Sequence, residues 1–386
     1  MKNANDLQII KMYSENIVRE YIELRYLERV MKPRENMINK FLAAVVTLVL
    51  CTGLLSGCAD GAMPDTEDGR LHIVCTTFPQ YDWVSALIQG NEAQFSLTLL
   101  MDQGGDLHNF QPSALDIARV SACDLFIYVG GESDVWVEDA LKEAVNPALR
   151  ALNMMEAISG RLVEEEHIEN DYIKEKLIEG EAAKETDADG HSAHMSGLHE
   201  NDAHGHEQVY DEHVWLSLRN AEYIVEEIAA ELAALDSPNA ALYQRNCARY
   251  TAALRALDVQ FEQAVRAGTK DTLLFADRFP FRYFVEDYGL KYYAAFDGCS
   301  AETEAGFGTV AYLIHKLEAL ELGAVVVLEG SDDRLARVVI ENTRSGKQQI
   351  YVLNSMQSVT RRELRAGFSY LNAMEENLKV LRRLLA

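Results

Sequence analysis

The densest group of side chains with metal-binding chemistry is a run of histidines near the middle of the chain. Five of the 10 histidines lie close together: His191, His194, His199, His204 and His206. Neutral imidazole is a ligand suited to zinc, copper and nickel, and aspartates and glutamates in the same run add anionic oxygens. The spacing predicts an auxiliary loop that binds metal weakly and exchanges it quickly. A polar loop with histidines present by chance is the alternative.

Two further histidines lie between regular elements. His108 falls in the loop 101–112, between a predicted strand and a predicted helix, and His213 follows Asp211 and Glu212. Loops at the carboxyl ends of parallel strands are where open α/β sheets bind ligands. These positions indicate a binding site, although a single histidine in a loop is usually only a surface residue.

The elements that must position these side chains are strands alternating with helices. This order predicts parallel sheets covered by helices, and hence two Rossmann-like α/β lobes at 71–236 and 268–386. A helical pattern over 237–267 predicts a rigid linking helix of about 45 Å, from a rise of about 1.5 Å per residue. The predicted strands are Leu71–Thr76, Phe95–Leu100, Leu125–Val129, Thr272–Ala276, Lys291–Ala295, Ala324–Leu328 and Ile350–Leu353.

One stretch of the first lobe, 164–212, breaks this alternation. It is rich in Glu, Asp, His and Gly and almost free of large aliphatic residues. Such a composition buries too little apolar surface to order the chain, so we interpret it as a disordered insertion.

The N-terminal region carries an export signal. An apolar run over 41–55 follows Lys32, Arg34 and Lys40, and it is too short for a comfortable membrane span. It ends in Leu-Ser-Gly-Cys58, which looks like a bacterial lipobox and predicts lipidation of Cys58. We interpret 1–57 as an extension with a lipoprotein signal peptide, with translation starting at Met31 or Met37. Residues 58–70 are a polar tether to the extracytoplasmic face of the membrane.

Composition and motifs exclude several classes of protein. The net charge of −25 argues against nucleic-acid binding, which needs a basic patch. The sequence contains no CxxC pair, so a thiolate zinc site is not expected. It also contains no HExxH or GxSxG motif that would indicate an enzyme. Cys75 and Cys123 could form a disulfide in an exported protein, but buried free thiols are the favoured interpretation.

Three segments together resemble the zinc- and manganese-binding receptors of ABC importers, a family of two lobes joined by a rigid helix. They are Gly-Gly-Asp-Leu-His108 with its following Pro-Ser, Asp-Glu-His213-Val-Trp-Leu, and the stretch Asp124–Trp136. The resemblance covers nearly all of 71–385 and implies that His108 and His213 are the first two metal ligands, in the cleft between the lobes. A His-rich insertion before the second ligand is typical of the zinc branch (cluster A-I).

The second lobe departs from the family pattern. The position of the third ligand falls near Arg278, whose guanidinium has no lone pair to donate. A late loop that supplies a carboxylate in many relatives carries the amide of Asn354 here. We therefore expect Asp277 and then Glu304 to complete the metal site, while a salt bridge or helix cap for Asp277 and a solvated position for Glu304 remain open.

The resemblance implies a lipid-anchored, monomeric receptor that captures a divalent metal ion and delivers it to an ABC importer permease. The His-rich loop favours Zn²⁺ as the transported ligand over Mn²⁺, which prefers oxygen ligands. A manganese receptor, a surface metallochaperone and an adhesin are the alternatives.

Overall fold

Two four-stranded parallel sheets form the framework of the computed structural model, which describes residues 68–165, 209–298 and 305–386. The first sheet contains β1 Leu71–Cys75, β2 Phe95–Leu99, β3 Leu125–Tyr128 and β4 Arg150–Asn153, in the order β2-β1-β3-β4. The second contains β5 Thr272–Phe279, β6 Lys291–Asp297, β7 Ala324–Leu328 and β8 Gln349–Leu353, in the order β6-β5-β7-β8. The two sheets therefore share one topology. Central strands such as β7, with every residue buried, are continuous apolar runs because helices cover both faces.

Five helices accompany the first sheet in the part of the chain that the structure describes. They are α1 Phe78–Leu87, α2 Ala114–Ala122, α3 Trp136–Lys142, α4 Met154–Ala157 and α5 Leu218–Leu235. The start of α2 is fixed by a capping box, in which Ser113 Oγ accepts from the Asp116 amide and the Asp116 carboxylate accepts from the Ser113 amide. This cap ends the loop that carries His108.

A long helix, α6 Ala240–Ala267, leads from the first sheet to the second. Its 28 residues span about 42 Å at about 1.5 Å per residue. One face is buried, through side chains such as Tyr243, Leu254 and Phe261. The amide of Asn246 on this face donates to the backbone oxygens of Leu87 and Gln89, at 2.8 and 2.9 Å. The helix is thus bonded to the first lobe near its N-terminal end rather than standing free.

The second sheet is accompanied by α7 Arg282–Tyr288, α8 Phe307–Ala319, α9 Arg334–Glu341, α10 Arg361–Arg365 and α11 Tyr370–Leu384. One cluster of buried apolar side chains runs through both lobes, and Trp83, Trp215 and Tyr370 belong to it. Trp215 Nε1 donates to the backbone carbonyl oxygen of Ser355 at 2.8 Å. The Tyr370 hydroxyl donates to the backbone carbonyl oxygen of Trp215 at 2.6 Å. The two lobes therefore share a core, within a single compact unit, Met63–Ala386.

The predicted two-lobe α/β fold with parallel sheets and a long joining helix is confirmed. Residues 164–165 and 209–212 of the predicted insertion carry structure: the Glu165 amide donates to the Val209 oxygen at 3.0 Å, and Asp211 and Glu212 are buried. The remainder of the insertion, 166–208, lies outside the described residues, as do 1–67 with the predicted signal and tether.

Cys75 and Cys123 are buried free thiols in this structure, as the favoured interpretation expects. Among the residues that the structure describes, no helix is both long and apolar enough to cross a membrane.

Candidate metal site

His108 and His213 meet through their ring nitrogens. His108 lies in a short 3-10 turn, Leu107–Asn109, after β2, and His213 directly precedes a second turn, Val214–Leu216. The two Nε2 atoms are 3.2 Å apart. A tetrahedral zinc ion with two Zn–N bonds of about 2.0–2.1 Å holds its nitrogens about 3.3–3.4 Å apart. The spacing therefore suits two imidazoles that bind one ion.

The ring of His108 is oriented by three polar groups of the first lobe. The Asp106 carboxylate accepts from the His108 amide at 2.9 Å and so fixes the turn. On the ring, Nδ1 lies 2.9 Å from Ser133 Oγ and 3.6 Å from Glu212 Oε2. Because these contacts engage Nδ1, Nε2 is directed toward His213.

The ring of His213 is fully buried and is held by Asp211. Oδ1 of Asp211 accepts from the His213 amide at 2.8 Å and lies 3.1 Å from Nδ1. The hydroxyl of Tyr283 in α7 donates to the backbone carbonyl oxygen of Asp211 at 2.8 Å, so the second lobe braces this segment. A carboxylate on Nδ1 leaves the lone pair on Nε2, the arrangement that orients histidine ligands in metalloproteins.

The two histidines have opposite proton affinities. Burial, then the neighbouring His213 ring, lowers the pKa of His108 to about 4, and Arg278 contributes to the lowering. Burial also lowers the pKa of His213, but the carboxylates of Asp211, Glu212 and Asp106 together outweigh it and raise the net pKa above the ordinary histidine value. At neutral pH the His108 ring is therefore uncharged, and His213 is the ring that takes up a proton more readily.

The second lobe brings a guanidinium to the site. Arg278 in β5 forms an ion pair with Asp106, the residue that fixes the His108 turn. In the pairing of β5 with β6, Phe275 faces Ala294 but Arg278 faces Phe296, so β5 carries one extra residue between them. Such a bulge re-aims the side chains that follow it.

Asp277, the other residue expected to join the histidines, is engaged by backbone amides in this structure. Asp277 lies within the bulge, where Oδ2 accepts from the Leu328 amide at 3.1 Å and Oδ1 from the Arg278 amide at 2.9 Å. Its carboxylate thus links the ends of β5 and β7. Within 68–165, 209–298 and 305–386, no three His, Cys, Asp or Glu side chains form a group that could hold a metal ion.

The other predicted site residues lie outside the described residues: Glu304, His191, His194, His199, His204, His206 and Cys58. The chain leading to Glu304 nevertheless starts beside the pair. A Cβ on Gly298 would lie 3.3 Å from His213 Cε1 and 2.7 Å from the Phe279 oxygen, so only glycine fits there without movement.

The family model described as "Zinc-uptake complex component A periplasmic" (ZnuA) matches residues 73–384. The chain belongs to this family. The zinc-binding lipoprotein AdcA of Streptococcus pneumoniae is 26% identical over 337 residues, which are 86% of this chain and 59% of AdcA. The high-affinity zinc uptake system protein ZnuA of Bacillus subtilis is 24% identical over 350 residues, which are 88% of this chain and 96% of that protein. The chain therefore spans about three-fifths of AdcA and nearly all of the Bacillus relative.

Solved structures show the same fold. The Zn(II)-bound ZnuA-like domain of S. pneumoniae AdcA aligns with a TM-score of 0.60 at 23% identity, covering 82% of this chain and 99% of that domain. The metal-dependent lipoprotein YcdH of B. subtilis aligns with a TM-score of 0.62 at 22% identity, covering 82% and 99%.

In this member of the ZnuA family a polar cavity of about 490 Å³ lies beside the site, lined by loops of both lobes. Arg278, Asp277, Glu329 and Gln357 line it. Both oxygens of Glu329 accept from Ser355, at 2.7 Å from its amide and 2.7 Å from its hydroxyl.

Sequence reasoning missed two groups that orient His108. Ser133 lies in the stretch Asp124–Trp136, which carried the family resemblance, and Glu212 directly precedes His213. Both were visible in the motifs, but a motif does not tell which of its polar residues touches the ligand and which supports it.

Proposed function

We propose that this protein is an extracytoplasmic, lipid-anchored, monomeric receptor that captures zinc and delivers it to an ABC importer permease. The observation that carries the proposal is the His108–His213 pair, with Nε2 atoms 3.2 Å apart and Nδ1 atoms engaged by supporting groups. The names of the relatives, a zinc-binding lipoprotein and a zinc uptake system protein, support zinc as the cargo. Two imidazoles also favour zinc over manganese, which prefers oxygen ligands.

We propose Glu304 as a further ligand. Its segment follows Gly298, where an added Cβ would lie 3.3 Å from His213 Cε1. A carboxylate added to two imidazoles gives a donor set that zinc accepts.

The His-rich run from His191 to His206 is proposed as an auxiliary metal loop. The Asp211 amide donates to the Val163 oxygen at 3.0 Å, and Glu164 pairs with Tyr210 across an antiparallel bridge. The two ends of the insertion are thus held together directly before His213. This attachment supports a role in collecting metal for the histidine pair.

Zinc titration of the chain from residue 59 tests the metal site. The variants are His108→Ala and a deletion of 187–208, with competition against a chromogenic chelator as the measurement. We expect one tight zinc per chain in the wild type and in the deletion variant, and its loss in His108→Ala. Loss of all tight binding in the deletion variant would instead make the His-rich run the metal site.

The lipid anchor and transport role need a cellular test. Cys58→Ala should release the chain from the membrane fraction into the soluble extracytoplasmic fraction and lower zinc uptake under limitation. Zinc uptake that is unchanged when the whole gene is deleted would argue for a metallochaperone or adhesin rather than a transport component.

A further inference from the structure

Arg278 places a permanent positive charge beside the histidine pair. An arginine side chain is a cation that proteins do not deprotonate. It pairs with one oxygen of Asp106, while the other oxygen of Asp106 accepts from the His108 amide at 2.9 Å. One carboxylate therefore links the guanidinium to the backbone of the turn that carries His108.

The guanidinium is held in this position. The side chain of Arg278 is only 25% exposed, and that of Asp106 is 12% exposed. The β5 bulge sets its direction, and the carboxylate of Asp277 accepts from its backbone amide. A partly buried charge is screened less by salt than one at the surface, so its field acts on the neighbouring rings.

The field of Arg278 opposes cations at His108. The guanidinium pairs with the carboxylate that fixes the His108 turn, so a cation bound to that ring lies on the same side of the site as the arginine charge. A divalent ion at Nε2 is repelled by this charge, and with twice the charge of a proton. In addition, Arg278 neutralises Asp106, whose carboxylate would otherwise attract the ion.

We propose that Arg278 sets the affinity of the metal site: it is a fixed cation contributed by the second lobe that weakens zinc binding and speeds zinc release. This inference rests on the proposed function and adds a means by which a receptor gives up its cargo. Arg278 acts on the metal through charge and through Asp106, without touching the ion.

The test compares Arg278→Gln, which removes the charge, with Arg278→Lys, which keeps it. Zinc affinity is measured by chelator competition and zinc release by stopped-flow transfer to excess chelator, on the chain from residue 59 and on the full chain. We expect Arg278→Gln to bind zinc at least about tenfold more tightly and to release it correspondingly more slowly, with Arg278→Lys within about threefold of the wild type. Asp106→Asn should bind more weakly. Arg334→Gln, on an exposed arginine paired with Asp332, is the matched control and should change nothing.

The zinc affinity of Arg278→Gln distinguishes an arginine that repels the metal from one that only positions His108. Equal or weaker zinc binding by Arg278→Gln, with a metal-free melting temperature like that of the wild type, would show that the arginine positions His108 rather than repelling metal, and the inference would be wrong. Arg278→Met is a second neutral variant should the glutamine variant fail to fold, and the same tightening is expected of it. A wild-type chain that binds no zinc at all would overturn the proposed function, and this inference with it.

Discussion

The unequal proton affinities of His108 and His213 determine how zinc binding should depend on pH. Metal binds only the deprotonated rings, and the pKa of His108 is lowered to about 4, so this ring stays available throughout the range from about pH 7.5 to pH 5. The pKa of His213 is raised above its ordinary value, so this is the ring whose proton competes with metal as the pH falls. Zinc affinity should therefore fall with a limiting slope of about tenfold per pH unit, which corresponds to one proton rather than two.

Zinc titrations at intervals of pH, in the same salt, measure this slope. A slope near two would mean that both rings are protonated in the metal-free protein. An affinity independent of pH would exclude the histidine pair as the site.

The carboxylate of Asp211 should matter for binding although it faces away from the ion. Its oxygen lies 3.1 Å from His213 Nδ1 and holds the tautomer that leaves Nε2 free. Loss of such a supporting group typically weakens metal binding by about 10–100-fold, and we expect Asp211→Asn to fall in this range by zinc titration. Asp139→Asn, on a side chain 88% exposed in α3, is the control and should bind like the wild type. Normal affinity in Asp211→Asn would mean that the protein backbone alone orients the ring.

At this scale the sequence predicted the placement of the histidine pair but not the second-lobe contribution. His108 and His213 occur in motifs whose spacing marks loops at strand ends, and they do meet. Asp277 was expected beside them because carboxylates are plausible ligands, but its direction depends on the register of β5 against β6. Register follows from packing across the sheet, which a single strand's residues do not reveal.

Among the elements, the strands with continuous apolar runs were predictable and the edge strand β4 was not. β7 is Ala-Val-Val-Val-Leu with all five residues buried, and such a continuous apolar run is typical of a central strand in a parallel sheet. β4 has only four residues, of which Arg150 and Ala151 are exposed, so its composition gives no strand signal. The β5 bulge was equally invisible, since the extra residue shows only in the pairing.

Gly298 directly follows β6, and a substitution there measures how tightly the end of this strand packs against the histidine pair. An added Cβ would lie 2.7 Å from the Phe279 oxygen and 3.3 Å from both Asp211 Oδ2 and His213 Cε1. Gly298→Ala should therefore push β6 away from the pair, lower the free energy of unfolding by about 1–3 kcal/mol and weaken zinc binding.

Thermal unfolding and zinc titration of the variant measure the two effects. Gly323→Ala is the matched control, because its Cβ would meet nothing within 4 Å. A Gly298→Ala protein with unchanged stability and affinity would show that the end of β6 yields freely.

For the whole molecule, the shared core limits how far the lobes can separate. The long helix α6 packs against α1 of the first lobe and α11 of the second. At one point all three helices are joined by hydrogen bonds: Asp82 of α1 accepts from the Tyr250 hydroxyl of α6 and from the Tyr370 amide of α11, both at 3.1 Å. A hinge opening would break these bonds and expose buried aromatic side chains.

Zinc binding should accordingly change the shape of the molecule only slightly. Hinge closure around a ligand needs a few residues that absorb the motion, whereas here the connection is a 28-residue helix bonded to both lobes. We expect the radius of gyration of the metal-free and zinc-loaded chains to differ by less than about 1 Å in X-ray scattering, with local change confined to the loops around the histidine pair. If the lobes stay together in this way, release of zinc depends on the energy of the ligands themselves, which is where the Arg278 charge acts. A large decrease in radius on zinc binding would instead place the control of release in lobe movement and require α6 to bend.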